Sequence, residues 1–128
     1  MRLLLDTCTF LWLNLDDSAL SSEARKLLLD PENALHLSVV SAWEIALKAG
    51  LGKLPLPEPV LDYVPKRRQL NGIFSVDLCE EAVLQLPKLP PLHNDPFDRM
   101  LICQAIVHGL AILTPDPWIR QYPVRVLW

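Results

Sequence analysis

Apolar positions along this chain fall into two kinds of stretch. Short, mainly apolar segments at residues 3–5, 34–37, 73–76, 110–113 and 124–127 read as strands, and the unbroken Leu3-Leu4-Leu5 reads as one covered on both faces. Between them the apolar residues recur at helical spacing. Phe10, Leu11, Trp12 and Leu13 predict a short helix broken by Asp16-Asp17-Ser18. Ser21 or Ser22 can cap a second helix, with Ala24, Leu27 and Leu28 on one side and Pro31 beyond its end. Ser38 or Ser41 opens a third through Val40, Trp43, Ile45, Ala46 and Leu47, with Glu44 in its first half and Gly50 placed to close it. Residues 50–57, with paired Gly and paired Pro, read as a loop. A helix over 59–70 carries Pro65, which can kink or shorten it, and one over 80–86 leads into a stiff connector of Pro87, Pro90 and Pro91. The last helix, 96–108, has the clearest ends: Asp95 as N-cap, Pro96 at the first position, and Gly109 as a left-handed C-cap.

Strand and helix thus alternate from end to end. Strands joined by helical crossovers run parallel with helices over both faces, so the expected fold class is α/β, a three-layer α/β/α sandwich. A length of 128 residues suits one domain, 1–128. With 51% hydrophobic and 21% charged residues, the chain can fill a core and is not a disordered or highly solvated polymer. No apolar run is long enough to cross a bilayer, and Asp6 interrupts Arg2-Leu3-Leu4-Leu5 before a signal peptide could form; the expectation is a cytoplasmic protein without membrane association.

Cys8, Cys79 and Cys103 lack the spacing of a zinc knuckle or redox motif and are expected as reduced, buried thiols. A formal net charge of −3 gives no global attraction to nucleic acid, so RNA binding would need local patches. Lys48, Lys53 and Arg99 form one candidate set; Lys66-Arg67-Arg68 is another, read as a solvated helix face. No GxSxG elbow, phosphate-binding P-loop or HExxH motif occurs. His36, His93 and His108 are scattered and expected to be structural. Trp12, Trp43 and Trp118 are expected in the core, with Trp128 sealing core or interface.

In a parallel sheet the ligand site lies at the C-terminal strand edge, where the loops converge. Asp6 directly follows the first strand and Asp116 follows the fourth by a short turn, while Glu44 and Asp98 lie early in two helices that can point at that edge. Each has an ordinary explanation: Ser41-Ala42-Trp43-Glu44 fits a capping box, Asp95 and Asp98 fit a cap and its dipole partner, and Asp6 and Asp116 can each cap the segment after it. Capping does not explain a common edge. Carboxylates that close raise one another's pKa and oppose folding unless a hard divalent cation, Mg2+ or Mn2+, compensates them.

Leu3-Leu4-Leu5-Asp6-Thr7, Leu37-Ser38-Val39-Val40-Ser41-Ala42-Trp43-Glu44-Ile45-Ala46, His93-Asn94-Asp95-Pro96-Phe97-Asp98-Arg99, Leu113-Thr114-Pro115-Asp116 and the ending Pro123-Val124-Arg125-Val126-Leu127-Trp128 closely resemble PIN-domain ribonucleases of the VapC toxin type. The resemblance covers nearly the whole chain, in order and in spacing. It implies a PIN-like fold with five strands in the order 3-2-1-4-5. It further implies Asp6, Glu44, Asp98 and Asp116 as an acidic quartet that is both catalytic and metal-binding, with Asp95, Arg99, Thr7 and Thr114 as supporting residues. Cys8 departs from the His common at that place in this subgroup.

The function expected on these grounds is a magnesium-dependent endoribonuclease, the toxin of a VapBC-type toxin-antitoxin system, whose metal activates water for in-line attack on an RNA phosphodiester. Lys48, Lys53 and Arg99 would draw in RNA phosphates. The partners implied are RNA, a small antitoxin covering Trp12, Trp43 and the loop of Leu51, Leu54 and Leu56, and a second copy in a homodimer. The rival readings are a catalytically inactive partner-binding module with the same fold and a metal-dependent phosphatase, although Asp6-Thr7-Cys8 lacks the paired aspartates that a phosphatase would favour.

Overall fold

A computed structural model describes residues 1–15 and 18–128. Its centre is β1 (Arg2–Leu5), whose unbroken apolar run has no exposed side: Leu3 and Leu5 point into one core cluster and Leu4 into the other. Each such side chain, fully removed from water, contributes roughly 2 kcal/mol. The chain continues through α1 (Thr7–Leu15), α2 (Ser22–Leu29), β2 (Ala34–Ser38), α3 (Val39–Gly50), α4 (Val60–Leu70), β3 (Phe74–Val76), α5 (Glu80–Leu84), α6 (Pro96–His108), β4 (Ala111–Leu113) and β5 (Val126–Leu127). The strands form one parallel sheet in the order β3-β2-β1-β4-β5, the order that the resemblance implied. Phe10, Ala24 and Tyr63 cover one face; Leu101, Ile102 and Ala105 of α6 cover the other. The three-layer reading holds.

The path of the chain reverses across β1. From β1 it runs outward through β2 and β3, then returns to build β4 and β5 on the opposite side, which puts the switch point between β1 and β4. Leu5 pairs with Leu113 there, so the residues that follow each strand, Asp6 and Thr114, leave the sheet side by side.

Several boundaries differ from the sequence expectation, each for a local reason. α1 begins at Thr7 rather than Phe10, because the Asp6 carbonyl accepts the Phe10 N–H at 3.1 Å and the strand turns straight into the helix. The break expected at Asp16 and Asp17 lies outside the described residues. Pro65 sits inside α4 without ending it; the carbonyl it leaves free belongs to Leu61, a residue 82% exposed, where water can serve. α5 stops at Leu84, and Pro87 sits in a separate tight turn at Leu86–Lys88. β5 is two residues long, since Val124 is still held in a turn by its N–H to the Tyr122 carbonyl. Gly109 closes α6 at φ 66°, ψ 42°, as expected, with its N–H and that of Leu110 both donated to the Ala105 carbonyl.

Trp43 and Trp118 are not core residues, being 58% and 48% exposed. α3 buries Val40, Ser41, Glu44 and Ile45, which leaves Trp43 at the margin, edge-on to Phe97; Trp118 follows the surface turn at Asp116 and lies flat against His93. Trp12 does pack on the core, edge to face with Trp128. The cysteines are free, but only Cys103 is buried outright; Cys8 and Cys79 are half-buried. Lys66 alone fits the solvated reading of its basic run, since Arg68 donates to the Ile73 carbonyl and Arg67 lies over the Tyr63 ring. No helix among the described residues is long and apolar enough to cross a membrane.

Candidate metal centre

Asp6 stands at the joint between β1 and α1, 5% exposed, and each of its oxygens has donors. Oδ1 accepts the Thr7 N–H at 2.7 Å; Oδ2 accepts the Thr114 hydroxyl at 2.7 Å and the Cys8 thiol at 3.4 Å. Burial nevertheless raises its pKa, and Glu44 adds to the rise. The Cys8 thiol is pushed upward by its burial and by the Asp6 charge, so it remains a donor, not a thiolate ligand. Hydroxyls tie the surrounding elements together: Thr7 donates to Ser41 Oγ at 2.9 Å, linking α1 to α3, and Thr9 donates to the Leu113 carbonyl at 2.7 Å, linking α1 to β4.

Asp98 reaches the same point from α6. Asp95 takes the whole capping role there, its Oδ1 accepting the N–H groups of Phe97 and Asp98 at 2.9 and 3.0 Å, so the Asp98 carboxylate is released from local duty. Burial raises the Asp98 pKa to about 7, with Asp6, Asp95 and Asp116 adding to the rise and a contact of 3.1 Å from His93 Nε2 opposing it. Asp116 is fixed by its own turn: its N–H donates to Thr114 Oγ1 at 3.1 Å and its Oδ1 accepts the Trp118 N–H at 2.8 Å. One oxygen from each of Asp6, Asp98 and Asp116 lies within 4.8 Å of the others.

Glu44 does not join that group. It lines the same cleft, of about 310 Å³, 6% exposed and paired with Lys48 one helical turn on. The bond to Glu44 raises the Lys48 pKa, and the charges of Asp95 and Asp98 act in the same sense. Lys53 also faces the cleft, whereas Arg99, expected beside them, turns away to the Pro90 carbonyl and the Tyr122 hydroxyl at 3.0 and 2.9 Å. The Ser41–Glu44 capping box does not form, because Ser38 caps α3 through the Val40 N–H and the Ser41 hydroxyl is taken by Thr7. His93, expected to be structural, touches the site directly through Asp98. The signal for it was its place five residues before Asp98; the partner that orients it, Tyr122, is 29 residues away in sequence.

Carboxylate oxygens alone, with no nitrogen or sulfur ligand among them, suit a hard cation that keeps part of its water, as magnesium and manganese do. Carboxylates whose proton affinity is raised by burial, with acidic neighbours adding to the rise, are also what such a charge would relieve. The donor set therefore fits a divalent ion. Thr114→Val tests how far the hydroxyl sustains Asp6. Its loss leaves a buried carboxylate oxygen short of its shortest donor, and a drop in stability of about 1–3 kcal/mol is expected, read as a fall in the urea midpoint. An unchanged midpoint would show that the bond does not hold Asp6.

A doubly wound parallel sheet with a cleft lined by carboxylate oxygens at its switch point marks an α/β protein whose donors could hold a hard cation. The sequence matches the PIN domain family over residues 3–124, and the chain belongs to that family. Ribonuclease VapC16 of Mycobacterium tuberculosis is 49% identical over 63 residues, 48% of this chain and 45% of that protein, so the chain matches under half the length of this relative. Ribonuclease VapC22 of the same organism is 25% identical over 120 residues, 93% of this chain and 90% of that protein. Among solved structures, VapBC2 from Rickettsia felis bound to a promoter DNA fragment aligns with a TM-score of 0.73 at 14% identity, covering 99% of this chain and 98% of that one. DNA-bound VapBC from Salmonella typhimurium aligns with a TM-score of 0.69 at 18% identity, covering 99% and 97%. These likenesses carry the fold.

Proposed function

We propose that this chain is a magnesium- or manganese-dependent endoribonuclease and the toxin of a VapBC-type pair. The observation that carries the reading is the meeting of Asp6, Asp98 and Asp116, drawn from three distant segments, at the switch point of the sheet. The two curated relatives, both called ribonuclease VapC, support the substrate class. Asp6, Asp98 and Asp116 would hold the ion. When bound, that ion supplies positive charge at the attacking water and at the scissile phosphate. Glu44, beside the three aspartates and tied to Lys48, would orient the water or hold a second ion. Lys48 and Lys53 line the cleft and would attract the phosphates that a net-negative surface otherwise repels.

The antitoxin partner is supported by the naming of the structural relatives as VapBC and by apolar residues left exposed on α3 and in the loop after it. Trp43 and Leu51 are exposed, and Leu54 and Leu56 are half-buried; Trp12, expected with them, packs inward. A homodimer is part of the same reading.

Manganese titration calorimetry of the purified protein tests the metal site, with RNA cleavage in magnesium and its loss in EDTA as the second arm. Weak binding is expected, since carboxylates hold such ions loosely, and Asp6→Asn with Asp98→Asn together should remove it. Binding that survives in the folded double variant would put the site elsewhere.

A further inference from the structure

Behind Asp98 lies a chain of contacts that fixes a proton. The Tyr122 hydroxyl is buried and receives two donors, the His93 backbone N–H at 3.2 Å and Arg99 Nη1 at 2.9 Å. A phenol oxygen so filled has one proton left to give, and the acceptor in reach is His93 Nδ1, at 2.7 Å. In the neutral ring this leaves the proton on Nε2, which faces Asp98 Oδ2 at 3.1 Å. The opposite tautomer would present Tyr122 with a third donor and strand its hydroxyl proton. The ring has no freedom to escape this arrangement: Trp118 stacks on it at 6° with centroids 5.8 Å apart, and Tyr122 meets it at 61°.

We infer that His93 is a positioning residue for Asp98, with Tyr122 and Arg99 setting its tautomer so that Nε2–H pins one carboxylate oxygen and leaves the other turned to Asp6 and Asp116. The inference rests on the metal reading above and deepens it. Arg99 thereby gains a definite form of the supporting role that the resemblance implied: it acts through Tyr122 on the acid beside it. The same logic operates wherever a ligand's far oxygen is held by an outer hydrogen bond, and removing such a bond weakens metal binding about 10–100-fold.

Two substitutions separate positioning of Asp98 from support of the loop. Glutamine puts an amide N–H where Nε2 stands, reaching Asp98; asparagine puts its polar atoms near Nδ1, reaching Tyr122 instead. His93→Gln should keep manganese affinity within about threefold of wild type, while His93→Asn and His93→Ala should lose about tenfold or more and lower kcat with little change in KM for RNA. A merely structural role predicts the reverse order, with asparagine the better replacement, and that order overturns the inference. So does wild-type affinity in folded His93→Ala. Should the variants fail to fold, long-range nitrogen-proton NMR of the wild-type imidazole decides: a protonated Nε2 supports the assignment and a protonated Nδ1 overturns it. Absence of manganese binding by the wild-type protein would instead sink the metal reading, and this inference with it.

Discussion

Asp98→Asn is expected to abolish RNA cleavage, with a fall of at least ~100-fold in kcat, while the fold survives. Asn occupies the same volume and can still accept a hydrogen bond from His93, and the cap of α6 belongs to Asp95, so no helix end is disturbed. What disappears is a negative charge at the meeting point of the three aspartates. A charge is what a divalent ion needs there. The assay is purified protein with magnesium and a mixed structured RNA, with circular dichroism as the folding control. Folded Asp98→Asn that cuts as fast as wild type would defeat the proposed mechanism.

The same substitution should make the metal-free protein more stable at neutral and alkaline pH. Burial and neighbouring acids lift the Asp98 pKa from 3.8 to about 7, so between those values the folded state holds a proton that the unfolded chain has released. Stability therefore falls as pH rises through that window and stays low above it. Asp6, raised in the same direction, steepens the fall. Discounted for the solvent that still reaches Asp98, the penalty is about 1–2 kcal/mol, or roughly 3–8 °C in Tm. Melting in EDTA at pH 8 should show Asp98→Asn above wild type by that margin, with the gap closing near pH 4. A lower Tm for the variant at pH 8 would mean that Asp98 supports the fold as a cap or dipole partner, and that the charge relief is small.

The elements that could be read from sequence are those whose signals are local. β1 is covered on both faces and needs no alternation, and α6 carries its cap, its first-position proline and its terminal glycine within its own span. The acids Asp6, Asp98 and Asp116 could be gathered because strand ends and helix starts in a parallel sheet converge at one edge. Choices settled by a distant partner were not legible. Ser38 and Ser41 are equivalent caps until Thr7 claims the second hydroxyl, and Gln104 on α6, fully buried, accepts from the first. Glu44, counted in the quartet from sequence, lies beside the three aspartates and pairs with Lys48. His93 and Arg99 could not be assigned without Tyr122, which lies 29 and 23 residues further on.

The hydrogen bond from Thr114 to Asp6 spans 108 residues of chain. A growing polypeptide that has not yet released β4 has a β1 with one bare edge and an Asp6 without its Thr114 donor, while Asp116 has not emerged at all. The three-aspartate site is thus absent from any copy that has not yet formed β4 and the turn to Asp116. The site is in this sense a property of the closed sheet and of no single segment: it exists only once the two halves of the sheet, built on either side of β1, have met.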